Sequence, residues 1–407
     1  MKALFVVAAL LLARSAIAQP GSPSGKSIPI RPLGAVTAVS KDTLGPRIVT
    51  RGLPDGSVLV GVFAFGSPPD LGRRRVKLFD PTLQNFKLIF DSTSMPQLIR
   101  YFGDTTLALD QPSRTLIVLD AQGKTVRTMA LPRQQDFGGL TGFIRTPWID
   151  PQGRLVYQGT PVRPPLKPGQ NPLLAQLPFL PDSAPIVRGN FDTRKIDTIA
   201  MIRIAVPGHI DAKEESGNIT ARAVLDPTSV SDEWAMLPDG TIAIVREHDY
   251  HVDWVTPDGK MTSTPKMAFD WKRRTDEQKK FTIDSIQPAI DTLRKQNPSQ
   301  TVSLPDGQVR LTVEFQAIAI DKMPDYEAPI GPGSVRADLD GNVWIVPRTS
   351  ASSTGGLLYD VVNRKGEIFE RVQFPKGVAL VGFGPGGVVY LNRVEGNAGF
   401  LQRATIR

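Results

Sequence analysis

The sequence predicts an all-β fold, a β-propeller of six blades, and three observations lead to this prediction. A motif of an apolar strand, a tight turn and an alternating strand occurs six times. Most neighbouring copies are separated by 46 to 49 residues, the length of one four-stranded unit. The last copy has room for only three strands, whereas a spare strand precedes the first copy. A ring of sheets whose two chain ends pair with each other explains all three.

The six copies share a turn that is usually built on Asp-Gly, residues that favour tight hairpins between antiparallel strands. A second hairpin follows several copies, as at residues 115–131, so each unit contains four strands. The turn at residues 304–307 is a seventh candidate, but too few residues separate it from the next copy for four strands. The six copies occupy residues 53–60, 103–109, 150–157, 237–244, 339–345 and 384–390.

Ring closure requires a fourth strand for the last unit, whose three strands are expected within residues 378–406. The segment 35–39 alternates between apolar and polar residues and lies just before the first unit. We therefore expect it to be the outer strand of the last blade, which leaves no open sheet edge between the chain ends.

In this form the chain resembles the six-bladed propellers of the NHL and YWTD-like group, above all exported bacterial members whose function is unassigned. The resemblance covers about residues 32–407 and rests on the repeated Asp-Gly turn followed by alternating Val or Leu. It implies the fold and export, and it carries over no catalytic residue.

The N terminus predicts a secretory signal over residues 1–18. Lys2 precedes an apolar run of 11 residues, and Ala16-Ile17-Ala18 has the small residues of a cleavage site. The run is too short for a membrane span, which needs about 20 residues. Residues 19–32, rich in Pro, Gly and Ser, are expected to be a flexible leader, and residues 33–407 the propeller. These features predict a periplasmic or secreted protein without a membrane span.

The composition constrains the partners. The chain has no cysteine, so neither a disulfide nor a lipid-anchored cysteine is available. Its formal charge is +8, with a single three-residue arginine run, which suits anionic small molecules or envelope polymers better than nucleic acid. We expect a monomer that does not bind nucleic acid.

The long connections all fall on one side of the predicted ring. Residues 160–185, 205–231 and 270–330 join strands at the end opposite to the tight turns, and long connections on a rigid scaffold commonly build binding sites. The last of these predicts a helix between blades four and five, capped by Thr275 and ended by Asn297-Pro298. We expect its apolar stripe to pack on the propeller and the ligand to bind on this side.

Aligning the inner strands places three arginines, Arg51, Arg100 and Arg336, at one level, and guanidinium groups suit carboxylates, phosphates and sulfates. Trp148, and Trp234 beside the equivalent position of the fourth unit, are candidates for an apolar or stacking wall. The alternative is that the arginines pair between blades, with Asp55, Asp338 or Asp340 as partners.

The three histidines, His209, His248 and His251, all fall near the fourth unit on the side of the long connections. Imidazoles are common ligands of zinc and similar ions, although His-x-x-His in a strand connection is not a strong metal motif. The sequence therefore predicts a binding or scaffold protein that recognises an anionic small molecule, glycan or peptide. The alternative is a metal-dependent hydrolase or lyase, lactonase-like, with a divalent metal at the histidines.

Overall fold

The computed structural model describes residues 28–406 with short gaps at 64–73, 93–97, 102, 111, 141–146, 172, 175–176, 178–179, 207, 217, 298 and 305–306. The predicted signal peptide and most of the predicted leader lie outside these residues. The described chain is mostly β, and its strands form seven sheets.

The first half of the chain contains two N-terminal strands, three four-stranded antiparallel sheets and a long hairpin. The N-terminal strands are β1 (Ile30–Pro32) and β2 (Val36–Val39). Sheet 1 contains β3 (Arg47–Gly52), β4 (Val58–Phe63), β5 (Arg74–Phe79) and β6 (Phe86–Ser92). Sheet 2 contains β7 (Leu98–Arg100), β8 (Thr106–Asp110), β9 (Thr115–Leu119) and β10 (Thr125–Ala130), and the short helix α1 (Phe137–Leu140) follows it. Sheet 3 contains β11 (Trp148–Ile149), β12 (Leu155–Gln158), β13 (Ser183–Gly189) and β14 (Ile196–Arg203), and the hairpin contains β15 (Gly208–Glu215) and β16 (Asn218–Leu225).

The second half adds three more sheets and a second hairpin. Sheet 4 contains β17 (Glu233–Met236), β18 (Ile242–Arg246), β19 (His251–Val255) and β20 (Met261–Ser263). Helix α2 (Asp276–Gln296) and the hairpin β21 (Gln300–Leu304) and β22 (Gly307–Ala317) follow. Sheet 5 contains β23 (Val335–Ala337), β24 (Val343–Ile345), β25 (Leu358–Val362) and β26 (Ile368–Gln373), and sheet 6 contains β27 (Val378–Gly384), β28 (Val388–Glu395) and β29 (Ala398–Thr405). Four 3₁₀ helices complete the description: Gln134–Asp136, Ile320–Lys322, Arg348–Ser352 and Pro385–Gly387.

The core lies between the sheets, because each sheet is apolar on both faces. Five apolar clusters each join two consecutive sheets, and a sixth cluster joins sheet 6 to sheet 1. This mutual covering of radial sheets is the architecture of a β-propeller. One pair from each cluster illustrates the order: Leu59 and Leu119, Leu107 and Leu155, Ile186 and Ile244, Val245 and Val343, Val361 and Leu391, Tyr390 and Val60.

The two N-terminal strands attach to different sheets. Strand β2 pairs antiparallel with β29 and is the outer strand of sheet 6, as the sequence predicts. Strand β1 pairs parallel with β26 at the outer edge of sheet 5. The leader predicted over residues 19–32 is therefore wrong at its C-terminal end, since the Pro29 carbonyl accepts the Arg371 N–H at 2.9 Å and the Leu33 N–H donates to the Gln373 carbonyl at 3.0 Å.

The long connections form an additional sheet that the sequence analysis did not predict. Strand β16 pairs parallel with β22, so the two hairpins make one four-stranded sheet in the order β15-β16-β22-β21. The turn at residues 304–307, the seventh candidate, belongs to this sheet, and its residues 305–306 lie outside the described chain. Leu173 of the connection 159–182 packs against Ile219 and Val309, so all three connections meet here.

Helix α2 has the predicted ends. The Thr275 hydroxyl accepts the Gln278 N–H at 3.2 Å, the Gln278 side chain accepts the Thr275 N–H at 2.8 Å, and Asn297 is the C-cap. The helix packs against β22 of the additional sheet, where the sequence analysis expected it to pack on the propeller. The Lys279 ammonium, buried at the first turns, donates to the Asp325 carboxylate at 2.6 Å and ties the helix to the following segment.

Candidate functional site

Two cavities lie at opposite ends of the sheets. We call the end formed by the tight turns between the first two strands of each sheet the turn side, and the end formed by connections 159–182, 204–232 and 264–334 the insertion side. The turn-side cavity has a volume of about 240 Å³ and is lined by the ends of inner strands from sheets 2 to 5. The insertion-side cavity has a volume of about 280 Å³ and is lined by the ends of sheets 3 and 4 and by all three long connections.

The strand register assigns the predicted arginines to the turn side. Arg51 pairs with Leu59, Arg100 with Thr106 and Arg336 with Trp344, so each lies within two residues of a tight turn. The long connections leave the sheets from the opposite ends of these strands, because neighbouring strands are antiparallel. The arginines therefore do not lie on the side where the sequence analysis expected the ligand.

Arg51 is a largely buried guanidinium with incomplete hydrogen bonding. Its Nη1 donates to the Gly52 carbonyl, whereas its Nε and Nη2 have no hydrogen-bond partner among the described residues. Burial, and then the neighbouring Arg100 charge, lower the pKa of Arg51 to about 10, while Asp104 acts in the opposite direction. Arg100 lines the turn-side cavity and forms no ion pair within the described chain. Two positive charges therefore lie together without a carboxylate that binds them.

The nearby aspartates accept hydrogen bonds from residues of their own turns. Asp55 Oδ1 accepts the Ser57 N–H at 2.9 Å and the Ser57 hydroxyl at 2.6 Å. Asp338 accepts hydrogen bonds from the Asp340 and Asn342 backbone, from Asn342 Nδ2 at 3.0 Å and from Trp344 Nε1 at 2.9 Å. Neither carboxylate pairs with an arginine of the turn-side cavity, so the alternative of interblade pairing is not observed for these two residues.

The other predicted ligand-binding residues have different surroundings. Trp148 is half-buried and lines the turn-side cavity together with Arg100 and Tyr101. Trp234 is buried in the cluster between sheets 3 and 4, because its side chain points to the opposite face of β17 from Ala235. Arg336 lies near Tyr359 and Glu233, and burial lowers its pKa. Of the five residues, the structure places Arg100 and Trp148 on one cavity, with Arg51 beside Arg100.

The insertion-side cavity is held by a network of charged groups beneath it. Arg246 donates from Nη1 to Asp232 Oδ2 at 2.8 Å and from Nε to Asp253 Oδ2 at 2.6 Å. Asp232 in turn accepts the backbone N–H of Arg203 at 2.9 Å and of Glu247 at 3.1 Å. The Asp232 carboxylate therefore fixes the backbone of two residues that line the cavity, one from sheet 3 and one from sheet 4.

Glu247 is the unusual residue of this cavity. Only 7% of its surface is exposed, yet its carboxylate has no hydrogen-bond or ion-pair partner in the part of the chain that the structure describes. Burial raises the pKa of Glu247, the charges of Arg203, His248 and Arg348 oppose this shift, and Asp232 adds to it. The carboxylate therefore has hydrogen-bonding capacity that the described residues do not use.

The three histidines have separate contacts. His209 Nε2 lies 3.3 Å from Asp211 on the exposed edge strand of the additional sheet, and His251 Nε2 lies 3.2 Å from Asp253. His248 lines the insertion-side cavity. Within the described residues, no group of three or more His, Cys, Asp or Glu side chains is arranged to hold a metal ion.

Comparisons with known proteins find no matching family model and no similar curated sequence. Among solved structures, virginiamycin B lyase from Staphylococcus aureus is 9% identical, with 90% of this chain and 88% of that chain covered and a TM-score of 0.34. The calcium-binding protein regucalcin from Agrobacterium tumefaciens is 12% identical, with 93% and 97% covered and a TM-score of 0.38. The β-propeller domain of the trilobed protease from Pyrococcus furiosus is 8% identical, with 90% and 96% covered and a TM-score of 0.36. At these values the similarity identifies neither a family nor an activity.

No helix in the described part of the chain is long and apolar enough to cross a membrane.

The sequence indicates His248 of the insertion-side cavity, as a metal candidate, but sequence reasoning missed Arg274 and Tyr326 of the lining and the role of Asp232 next to it. One available signal was the pair of polar segments, Ser231-Asp232-Glu233 and Arg246-Glu247-His248, that flank apolar strands of the fourth unit. Both segments lie at the ends of these strands that face the long connections. Arg274 and Tyr326 have no local signal, since their positions depend on how the connection 264–334 folds back.

Proposed function

We propose that this chain is an exported binding protein that recognises a small anionic molecule at the turn-side cavity through Arg100, with the Arg51 charge beside it. The observation that carries the proposal is this pair of guanidinium groups: Arg100 lines the cavity without an ion pair among the described residues, and Arg51, outside the lining, is largely buried beside it. Two neighbouring positive charges are costly, and a carboxylate or phosphate bound at Arg100 would supply an acceptor and the opposite charge.

The surroundings of the arginines support a ligand of limited size. A cavity of about 240 Å³ suits a small organic acid or a sugar phosphate better than a polymer. Trp148 and Tyr101 flank Arg100 and offer aromatic surface to the rest of such a molecule. The two aspartates of the lining are engaged elsewhere, Asp338 within its own turn and Asp150 with Arg154 and Arg188, so neither is paired with Arg100.

The proposal includes the location and the organisation of the chain. We take residues 1–18 as a signal peptide, which places the protein in the periplasm or outside the cell. We take sheets 1 to 6 as the six blades of one ring that β2 closes, with residues 270–330 as an insertion on one side. Such a rigid ring fixes the inner strands, so Arg51 and Arg100 are already positioned for the ligand.

Calorimetric titration tests the proposal with phosphate, sulfate, citrate and succinate as probes. We expect at least one of these anions to bind, and Arg100→Gln to weaken that binding about tenfold by removing one charged hydrogen-bond donor. Arg51→Met keeps the side-chain length and removes the buried charge, so the ligand-free protein should be no less stable while anion binding is lost. Arg222→Gln removes an exposed charge from the additional sheet and is the matched control. Failure of all four anions to bind, or equal affinity in Arg100→Gln and the wild type, would refute the proposal.

A further inference from the structure

The insertion-side cavity is built from five separate segments of the chain. The connection 159–182 contributes Asp182 and the end of β14 contributes Arg203. The connection 204–232 contributes Asp226, the connection between β18 and β19 contributes Glu247, and the connection 264–334 contributes Arg274 and Tyr326. All three long connections thus take part in the cavity, at the ends of sheets 3 and 4. Such convergence of loops on a rigid scaffold is typical of binding sites.

The polar groups of the cavity include both donors and acceptors that the protein leaves available. Asp226 accepts two hydrogen bonds from Thr228 through Oδ1 alone, at 2.8 Å from the N–H and 2.6 Å from the hydroxyl. Arg274 uses Nη1 for the carbonyls of Pro324 and Tyr326. Glu247, a residue only 7% exposed, has a carboxylate without a partner within the described chain. The wall contains charges of both signs, so neither an anion nor a cation alone would satisfy it.

A series of aromatic rings leads to Tyr326, which lines the cavity. Tyr250, Phe269, Trp271 and Tyr326 form a series of edge contacts, with centroid distances of 5.3, 5.3 and 6.4 Å, that runs from the core to the surface. Its last two rings, Trp271 and Tyr326, are 38% and 45% exposed. Backbone hydrogen bonds hold their segments together, from the Arg274 N–H to the Asp325 carbonyl at 2.7 Å and from the Glu327 N–H to the Lys272 carbonyl at 2.9 Å.

We infer that this cavity binds a neutral saccharide, a second ligand separate from the anion proposed for the turn side. A sugar ring carries hydroxyl groups that donate and accept at once, which matches a wall that contains both carboxylates and guanidinium groups. Its C–H faces pack against exposed aromatic rings, and Tyr326 of the lining supplies one. A volume of about 280 Å³ accommodates one or two sugar units.

Calorimetric titration with glucose, galactose, N-acetylglucosamine and maltose tests the inference on the full mature chain. At least one of these sugars should bind the wild type, and Glu247→Leu and Tyr326→Ala should each weaken that binding about tenfold. Tyr326→Ala changes an exposed side chain of the lining, so it keeps the test decisive if Glu247→Leu fails to fold.

Two controls separate this site from others. Phe281→Ala removes a 75% exposed ring from helix α2, on the same insertion but outside the cavity lining, and should leave the affinity unchanged. Arg100→Gln should also leave sugar binding unchanged, although we expect it to weaken anion binding about tenfold, so the two proposals fail or succeed separately. The inference is overturned if no sugar of the panel binds the wild type, or if Phe281→Ala weakens binding as much as Tyr326→Ala.

Discussion

Arg31 binds Glu370 through two parallel hydrogen bonds, from Nε to Oε2 at 3.1 Å and from Nη2 to Oε1 at 2.8 Å. The two residues are 339 positions apart, on β1 and on the outer strand of sheet 5. A few residues later, β2 completes sheet 6. The N-terminal segment therefore spans the outer edges of two neighbouring sheets, and its two strands contribute to stability by different amounts.

Stepwise truncation distinguishes the two strands. A chain that starts at residue 35 loses β1 and a half-exposed ion pair, and we expect the free energy of unfolding to fall by about 1 kcal/mol. A chain that starts at residue 41 also loses β2, which leaves the backbone of β29 unpaired at an edge, and the loss should reach about 3–5 kcal/mol. Urea denaturation measures both against a chain that starts at residue 28. Equal stability of all three chains would show that β2 does not close the ring.

Turn glycines provide a second prediction. Gly240 and Gly341 occupy equivalent turns of sheets 4 and 5 with φ of 85° and 87°. A Cβ at Gly341 would lie 3.6 Å from its nearest neighbour, so Gly341→Ala should cost only the conformational strain, about 1 kcal/mol. A Cβ at Gly240 would lie 2.8 Å from Pro151 Cδ in the turn of sheet 3, so Gly240→Ala should cost about 2–4 kcal/mol. Thermal and urea unfolding of the two variants measure the difference, and equal losses would contradict the close packing of neighbouring turns.

The buried carboxylate of Asp338 provides a third prediction. It accepts four hydrogen bonds, one of them from the indole of Trp344, a fully buried side chain. Asp338→Ala leaves these donors unsatisfied and should reduce the free energy of unfolding by about 3 kcal/mol. Asp340→Ala, an exposed position of the same turn, should change it by less than about 0.5 kcal/mol. Chemical denaturation compares the pair, and a small loss in Asp338→Ala would show that water replaces the carboxylate without cost.

The periodic part of the fold is predictable from sequence because its signals are local. Asp-Gly turns, alternating apolar residues and the cap at Thr275 each report on a few neighbouring positions, and the strands at Val58–Phe63 and Ile242–Arg246 lie where these signals place them. The pairing of residues 36–39 with the last strand is also predictable, since the final unit lacks a strand. Strand β1 has no such signal, because its pairing depends on a distant glutamate.

The sites are less predictable because they depend on the end of each strand at which a residue lies and on pairing between strands that are distant in sequence. The sequence indicates both the arginines and the long connections, but only the register shows that Arg51 and Arg100 lie at the opposite end of the strands from these connections. The additional sheet requires β16 to pair in parallel with β22, from Ile219 with Leu311 to Leu225 with Ala317. Neither strand has a local sequence signal that indicates the other as its partner. Since that sheet brings the connections together, the insertion-side cavity could not be predicted either.

The Glu247 carboxyl provides the last prediction, a stability difference that depends on pH. Burial raises its pKa in the folded protein above the value in the unfolded chain, against the opposing charges of Arg203, His248 and Arg348 and with the support of Asp232. The folded protein then binds more protons than the unfolded chain between the two pKa values, so the free energy of unfolding falls as the pH rises through this window.

Glu247→Gln keeps the shape of the side chain and is neutral at every pH. It should therefore be more stable than the wild type at neutral pH, and this advantage should shrink as the pH falls from the folded pKa of the carboxyl to its unfolded pKa, below which the difference stays constant. Urea denaturation of both proteins across this pH range measures the difference. A constant difference, or one that grows towards acid, would show that Glu247 keeps a stabilised charge in the folded protein.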